Sequence, residues 1–82
     1  MSTSAVESRP RAEEVRLTDE ELIVALADGR TLTVPLVWFP RLAAASPQER
    51  ANHQLMGEGE GIHWPDLDED LSVVGLLAGP TP

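Results

Sequence analysis

The chain has 82 residues, 14 Asp and Glu against 6 Lys and Arg, and a formal net charge of −8. That length holds one small domain, and the absence of cysteine excludes disulfides and thiolate metal sites. No apolar run is long enough to span a membrane, and the acidic balance opposes direct contact with nucleic-acid phosphates, which require a basic patch.

Residues 1–11 are polar, include Ser2, Ser4, Ser8 and Pro10, and lack an apolar period. They are expected to form a disordered tail. The first 15 residues carry acids and no apolar core, so no signal peptide is expected and the chain is read as cytoplasmic. Residues 12–79 are expected to form a single α+β domain, and Pro80-Thr81-Pro82 a loose C-terminus.

Val15 and Leu17 flank Arg16, which predicts a short edge strand over about 13–18. Leu22, Val24 and Leu26 then alternate with Ile23 and Ala25. After Asp28-Gly29, Leu32 and Val34 alternate with Thr31 and Thr33. Two alternating runs around Asp-Gly predict a hairpin. A two-residue turn would place Leu32 and Val34 on the opposite face from Leu22, Val24 and Leu26. A three-residue loop, Ala27-Asp28-Gly29, pairs Leu26 with Arg30, Val24 with Leu32 and Leu22 with Val34. A one-residue slip moves a whole side-chain set, so the second register is preferred, with Gly29 left-handed in a bulge. Pro35 ends the strand.

Pro40 opens a first helical turn over about 39–45. Ser46-Pro47-Gln48-Glu49 is a capping box with proline at the first helical position, predicting a second helix over 47–53. Gln54-Leu55-Met56 can start a strand. Ile62-His63-Trp64 reads as another, stopped by Pro65, with Ile62 and Trp64 on one face and His63 on the other. Asp66 to Asp70 form a turn-rich acidic stretch. Asp70 or Ser72 caps a last helix from Val73 to Ala78, which Gly79 ends. The expected fold is thus α+β. A small antiparallel sheet, an N-terminal meander of about three strands plus a later strand, packs with two or three short helices.

No catalytic constellation stands out. Gly57-Glu58-Gly59-Glu60-Gly61 does not open a helix and its glutamates repel phosphate, so it reads as a bulged strand whose glycines admit another backbone. Asp66, Asp68 and Asp70 have the opening spacing of a calcium loop, but Leu71 and Leu77 stand where glycine and glutamate are needed. His53 and His63 lack metal-ligand spacing, and Ser46 and Ser72 read as caps. No cofactor and no metal is expected. Trp64 is assigned to the core, whereas Trp38 is open to either core or surface.

Charge is unevenly placed along the chain. The first 51 residues carry 8 acids and 6 arginines, a net −2; the remainder carries Glu58, Glu60, Asp66, Asp68, Glu69 and Asp70 with no cation, a net −6. Trp38, His63, Asp66, Asp68 and Asp70 are therefore the candidates for partner binding. The rival readings are a small enzyme or ligand site within Gly57–Asp70, with His63, Glu60 and Asp68 lining a pocket, and a homodimer or other homo-oligomer paired through an edge strand.

Several blocks also carry a likeness. They are Leu26-Ala27-Asp28-Gly29-Arg30, Val34-Pro35-Leu36 with Trp38 and Pro40-Arg41-Leu42, and Arg50-Ala51-Asn52. Gly59-Glu60-Gly61-Ile62-His63-Trp64-Pro65 and Asp68-Glu69-Asp70-Leu71-Ser72-Val73, with Gly75-Leu76-Leu77, complete the set. Over Val15 to Gly79 the chain resembles the small prokaryotic family catalogued as domain of unknown function 2442. The resemblance implies a small α+β domain with an antiparallel sheet and short helices, and no established enzymatic activity. Members of that family often sit beside another small protein, an arrangement that suggests a toxin–antitoxin-type pair. Some relatives carry a separate helix-turn-helix domain, for which this chain has no room. The resemblance assigns no catalytic residues. A basic protein partner encoded nearby is the expected partner.

Overall fold

A computed structural model describes residues 10–79. The expected N-terminal tail, apart from Pro10 and Arg11, and the expected loose C-terminus at 80–82 lie outside them. Two three-stranded antiparallel sheets and three short helices make an α+β fold.

The first sheet is a meander of β1 (Ala12–Leu17), β2 (Glu21–Leu26) and β3 (Thr31–Pro35), with β2 central. Its second hairpin has the register that hydrophobic alternation demands: Leu22 faces Val34 and Val24 faces Leu32. The Leu26 N–H donates to the Arg30 carbonyl across the loop, and Gly29 holds φ 99°. β1 carries an irregularity absent from the sequence expectation. Its pairing shifts between Ala12 and Glu14. One extra residue in a strand reverses the side-chain alternation beyond it. Ala12 and Val15, three residues apart, are consequently both buried.

After a 3-10 turn at Leu36–Trp38, which local patterning did not reveal, come α1 (Pro40–Ala43) and α2 (Pro47–Ala51). Both helices are shorter than expected. The capping box is complete: Glu49 N–H donates to Ser46 Oγ, and Ser46 N–H donates to the Glu49 carboxylate. Arg50 folds back from α2, its Nε and Nη2 donating to the Leu42 and Ala43 carbonyls at 3.0 Å each. An arginine thus adds a side-chain donor to the carbonyls at the C-terminal end of α1, where a helix runs out of its own N–H partners.

The second sheet orders β4 (Gln54–Met56), β5 (Gly61–Trp64) and β6 (Glu69–Ser72), and α3 (Val73–Ala78) follows directly. The strand start at Gln54–Met56 and the strand at Ile62–Trp64 are both present, and β6 is the strand that was not expected. The acidic stretch is a turn only as far as Asp68; Glu69 and Asp70 belong to a strand. Gly57 to Glu60 form a turn, not a bulged strand, but the close approach expected there is present. Gly59 has φ 98°, its carbonyl accepts from Ala12 N–H at 2.7 Å, and an added Cβ would lie 2.3 Å from the Ala12 carbonyl oxygen. This contact ties the β4–β5 turn to the first sheet.

The core lies between the sheets and the helices. Leu22, Val24, Leu36, Leu42, Ile62, Trp64 and Val73 are its largest fully buried members. Trp64 is wholly buried, as expected, and its indole N–H donates to the Arg50 carbonyl at 3.0 Å. A buried tryptophan needs such a partner, because an unpaired indole N–H in an apolar core is costly.

Candidate functional site

Pairing of β5 with β6 brings two of the candidate residues, His63 and Asp70, to one side of the second sheet. In an antiparallel sheet, cross-strand partners share a face. Gln54, His63 and Asp70 therefore form one row across β4, β5 and β6. Their neighbours Ile62, Trp64 and Leu71 turn to the core side, the first two completely buried. His63 Nδ1 is hydrogen-bonded to Asp70 Oδ1. The pair is built by register, since His63 lies directly opposite Asp70.

Asp70 also lines a groove of about 420 Å³ with Trp38, Phe39, Leu71, Ser72, Gly75 and Leu76, ending at Gly79. One wall is β6, another is α3, and the third is the end of the 3-10 turn. Trp38 is 38% exposed and stands edge-on to Phe39, with ring centroids 6.4 Å apart. Phe39 packs on the core. The open question about Trp38 thus resolves to a half-exposed ring anchored through its neighbour.

The other candidates are dispersed. The Asp66 carboxylate accepts from Asn52 Nδ2 at 3.0 Å, and Asp68 sits in the turn before β6 with φ 52°. The groove includes neither His63, Glu60 nor Asp68, the three residues a catalytic pocket was expected to join. No group of three or more His, Cys, Asp or Glu that could hold a metal is found among the described residues. Among them, too, no helix is long and apolar enough to cross a membrane.

Folding also alters the charge picture drawn from the sequence. The C-terminal acids have no cation near them in the chain, but two arginines reach them in space. Arg11 pairs with Glu58 at 3.4 Å. Arg41 donates to the Asp68 carbonyl at 3.0 Å and lies 3.9 Å from the Glu69 carboxylate. Arg50, by contrast, is held mainly by backbone carbonyls of α1 and lies 3.7 Å from the exposed Asp19. Acid–base proximity here depends on tertiary folding, so no linear charge count reveals it. The groove itself was equally hidden, because Trp38 and Gly75 are far apart in sequence.

The chain matches the family model described as "Protein of unknown function (DUF2442)" over residues 12–82. Among solved structures, it is similar to a protein of unknown function from Rhodospirillum rubrum ATCC 11170. The identity is 36%, the TM-score is 0.77, and the match covers 88% of this chain and 89% of that one. It is also similar to an uncharacterized protein from Chromobacterium violaceum, solved by NMR, at 23% identity and TM-score 0.72. That match covers 88% of this chain and 68% of the other and bears on fold alone. No curated protein matches the chain.

Proposed function

This chain belongs to the DUF2442 family of proteins of unknown function, and from that premise we propose that it is a protein-interaction module whose acidic C-terminal half docks on a basic protein partner. A cognate small protein of a toxin–antitoxin-type pair is the partner class that the family resemblance suggests. The observation that carries this reading is the groove beside β6, which both Asp70 and the half-exposed Trp38 line. Acidic side chains next to an aromatic surface suit a cationic partner, and opposite charge speeds encounter and narrows the choice of partner. A binding role is favoured over catalysis because His63 does not line the groove and Ser72, the one hydroxyl residue that does, accepts from Gly75 N–H as the cap of α3.

Affinity purification from the native host at low and high salt tests the proposal. The parent is expected to retain one stoichiometric basic protein at low salt and to release it at high salt. A variant with Asp66, Asp68 and Asp70 all changed to Asn is expected to retain much less. The absence of a specific, salt-sensitive partner overturns the reading.

A further inference from the structure

The open edge of β6 faces the groove, and its polarity follows from register. Val73 N–H donates to the Glu60 carbonyl at 2.9 Å. Glu60 and Val73 thus continue the β5–β6 pairing, in which Gly61 faces Ser72, Ile62 faces Leu71 and Trp64 faces Glu69. Hydrogen-bonded and non-bonded pairs alternate along an antiparallel ladder. Leu71 and Glu69 therefore bond to β5, and the backbone groups of Asp70 and Ser72 point the other way, off the sheet edge. Among the described residues no strand pairs with β6 on that side. Ser72 directs its hydroxyl to Gly75 N–H as the cap of α3, leaving its own N–H at the edge. Edge groups of this kind are a template for another strand.

The chemistry beside the edge is specific. His63 engages Oδ1 of Asp70 and leaves Oδ2. Trp38 supplies an aromatic ring on the facing wall. Asp70 and Trp38 both line the groove, so a guanidinium or ammonium group seated there lies beside an aspartate and an indole and is suited to a charge-assisted hydrogen bond and a cation–π contact. The net charge of −8 repels an acidic strand and attracts a basic one.

We propose that β6 accepts an extended segment of a basic partner protein as an added strand, with one Arg or Lys side chain held between Trp38 and Asp70. The proposal rests on the interaction reading above and names its surface. The segment's main chain exchanges hydrogen bonds with the N–H and C=O of Asp70 and reaches Ser72 N–H. Strand addition gives affinity through the backbone, and the groove gives selectivity through the side chain.

The test uses the full chain, isotope-labelled for NMR, and the capped peptide Val-Arg-Val-Arg-Val. Saturable shifts are expected at the Asp70 and Ser72 amides and at the Trp38 indole N–H. The same peptide with every backbone amide N-methylated keeps its charge but cannot donate to the ladder, and is expected to lose those shifts. Val-Glu-Val-Glu-Val is expected not to bind. Asp70→Asn, which keeps the side-chain shape, and Trp38→Ala are each expected to weaken binding at least about fivefold. Shifts confined to other surfaces, equal binding of the N-methylated peptide, or unchanged affinity of Asp70→Asn overturn the proposal. Shifts at the same amides that grow with protein concentration in the absence of peptide also overturn it, because a second copy then fills the edge. If the peptide fails while the salt-sensitive partner is still captured, the interaction reading stands and this site is removed from it. If no partner is captured but the peptide binds as described, the surface stands and the partner class is wrong.

Discussion

Gly59 and Gly29 hold nearly the same left-handed backbone, at φ 98° and 99°, but in different surroundings. Nothing lies within 4 Å of a Cβ built on Gly29, whereas one on Gly59 meets the Ala12 backbone at 2.3 Å. Gly29→Ala therefore carries only the conformational penalty of positive φ, about 1–2 kcal/mol. Gly59→Ala adds a clash with backbone that cannot rotate away, and breaks the contact between the β4–β5 turn and the first sheet. In a domain of this size, about 1 kcal/mol moves Tm by roughly 4–8 °C. Thermal melts should place Gly29→Ala roughly 4–16 °C below the parent and Gly59→Ala clearly lower still. Equal melting of the two variants would show that the approach at Ala12 is dispensable. Asp28 gives a second residue-scale prediction. The Arg30 backbone N–H, followed by its guanidinium, holds the Asp28 carboxyl below its ordinary value of 3.8. A pKa lowered in the folded state contributes stability above the unfolded value and loses it as pH falls through the folded one. Asp28→Asn should melt below the parent at neutral pH, and the gap should close as pH falls below 3.8. A gap that persists in acid would assign the effect to turn geometry instead of charge.

At the scale of elements, α2 is short, and its ends matter more than its length. Ser46 closes the capping box, and Arg50 joins α2 to the carbonyls of α1 while its own carbonyl receives the Trp64 indole N–H. Loss of an N-cap costs about 1 kcal/mol. Ser46→Ala should therefore lower Tm by roughly 4–8 °C and speed amide exchange in α2. If the exchange rates of α2 stay at the parent's values, the cap is not what holds the helix. Elements of this kind were legible in the sequence because their causes are local. Ser46 and Glu49 are three residues apart, Ser72 and Gly75 likewise, and the Asp28-Gly29 loop sets its own register. β6 was not legible. Glu69, Asp70 and Ser72 are poor strand formers, and only Leu71 marks the core side. Its strand state comes from pairing with Gly61–Trp64 across the Pro65–Asp68 turn. The β1 shift was missed for a related reason: the burial of both Ala12 and Val15 is decided by the whole sheet, not by period two along six residues. The site divides the same way. Asp70 and Trp38 could be singled out as surface candidates, but their common groove depends on three elements meeting.

At the scale of the molecule, a charge of −8 is folded into a body with a radius of gyration of 13.1 Å. The screening length is about 10 Å at 0.1 M salt and about 30 Å at 0.01 M. In dilute buffer every charge therefore feels every other, and net repulsion favours the expanded chain. The ion pairs act in the opposite direction. Arg11–Glu58 and Arg30–Asp28 are exposed pairs, and Arg41–Glu69 and Arg50–Asp19 are long, at 3.9 and 3.7 Å. Such pairs contribute about 0–1 kcal/mol each and are themselves screened. Repulsion among the excess acids outweighs them, because six arginines cannot offset 14 carboxylates. Raising salt from about 0.01 to about 0.5 M should thus raise Tm by a few degrees, roughly the shift of 0.5–1 kcal/mol. Arg41→Gln removes the cation nearest β6, leaving Glu69 without its arginine and the Leu67 and Asp68 carbonyls without their guanidinium donor. This variant should melt lower at low salt and recover more of its loss as salt rises. Melting curves across the salt series decide the matter. A Tm that falls with added salt would mean that the arginine contacts outweigh the repulsion, and that the acids around β6 are largely neutralised from within, leaving little charge to attract a basic strand.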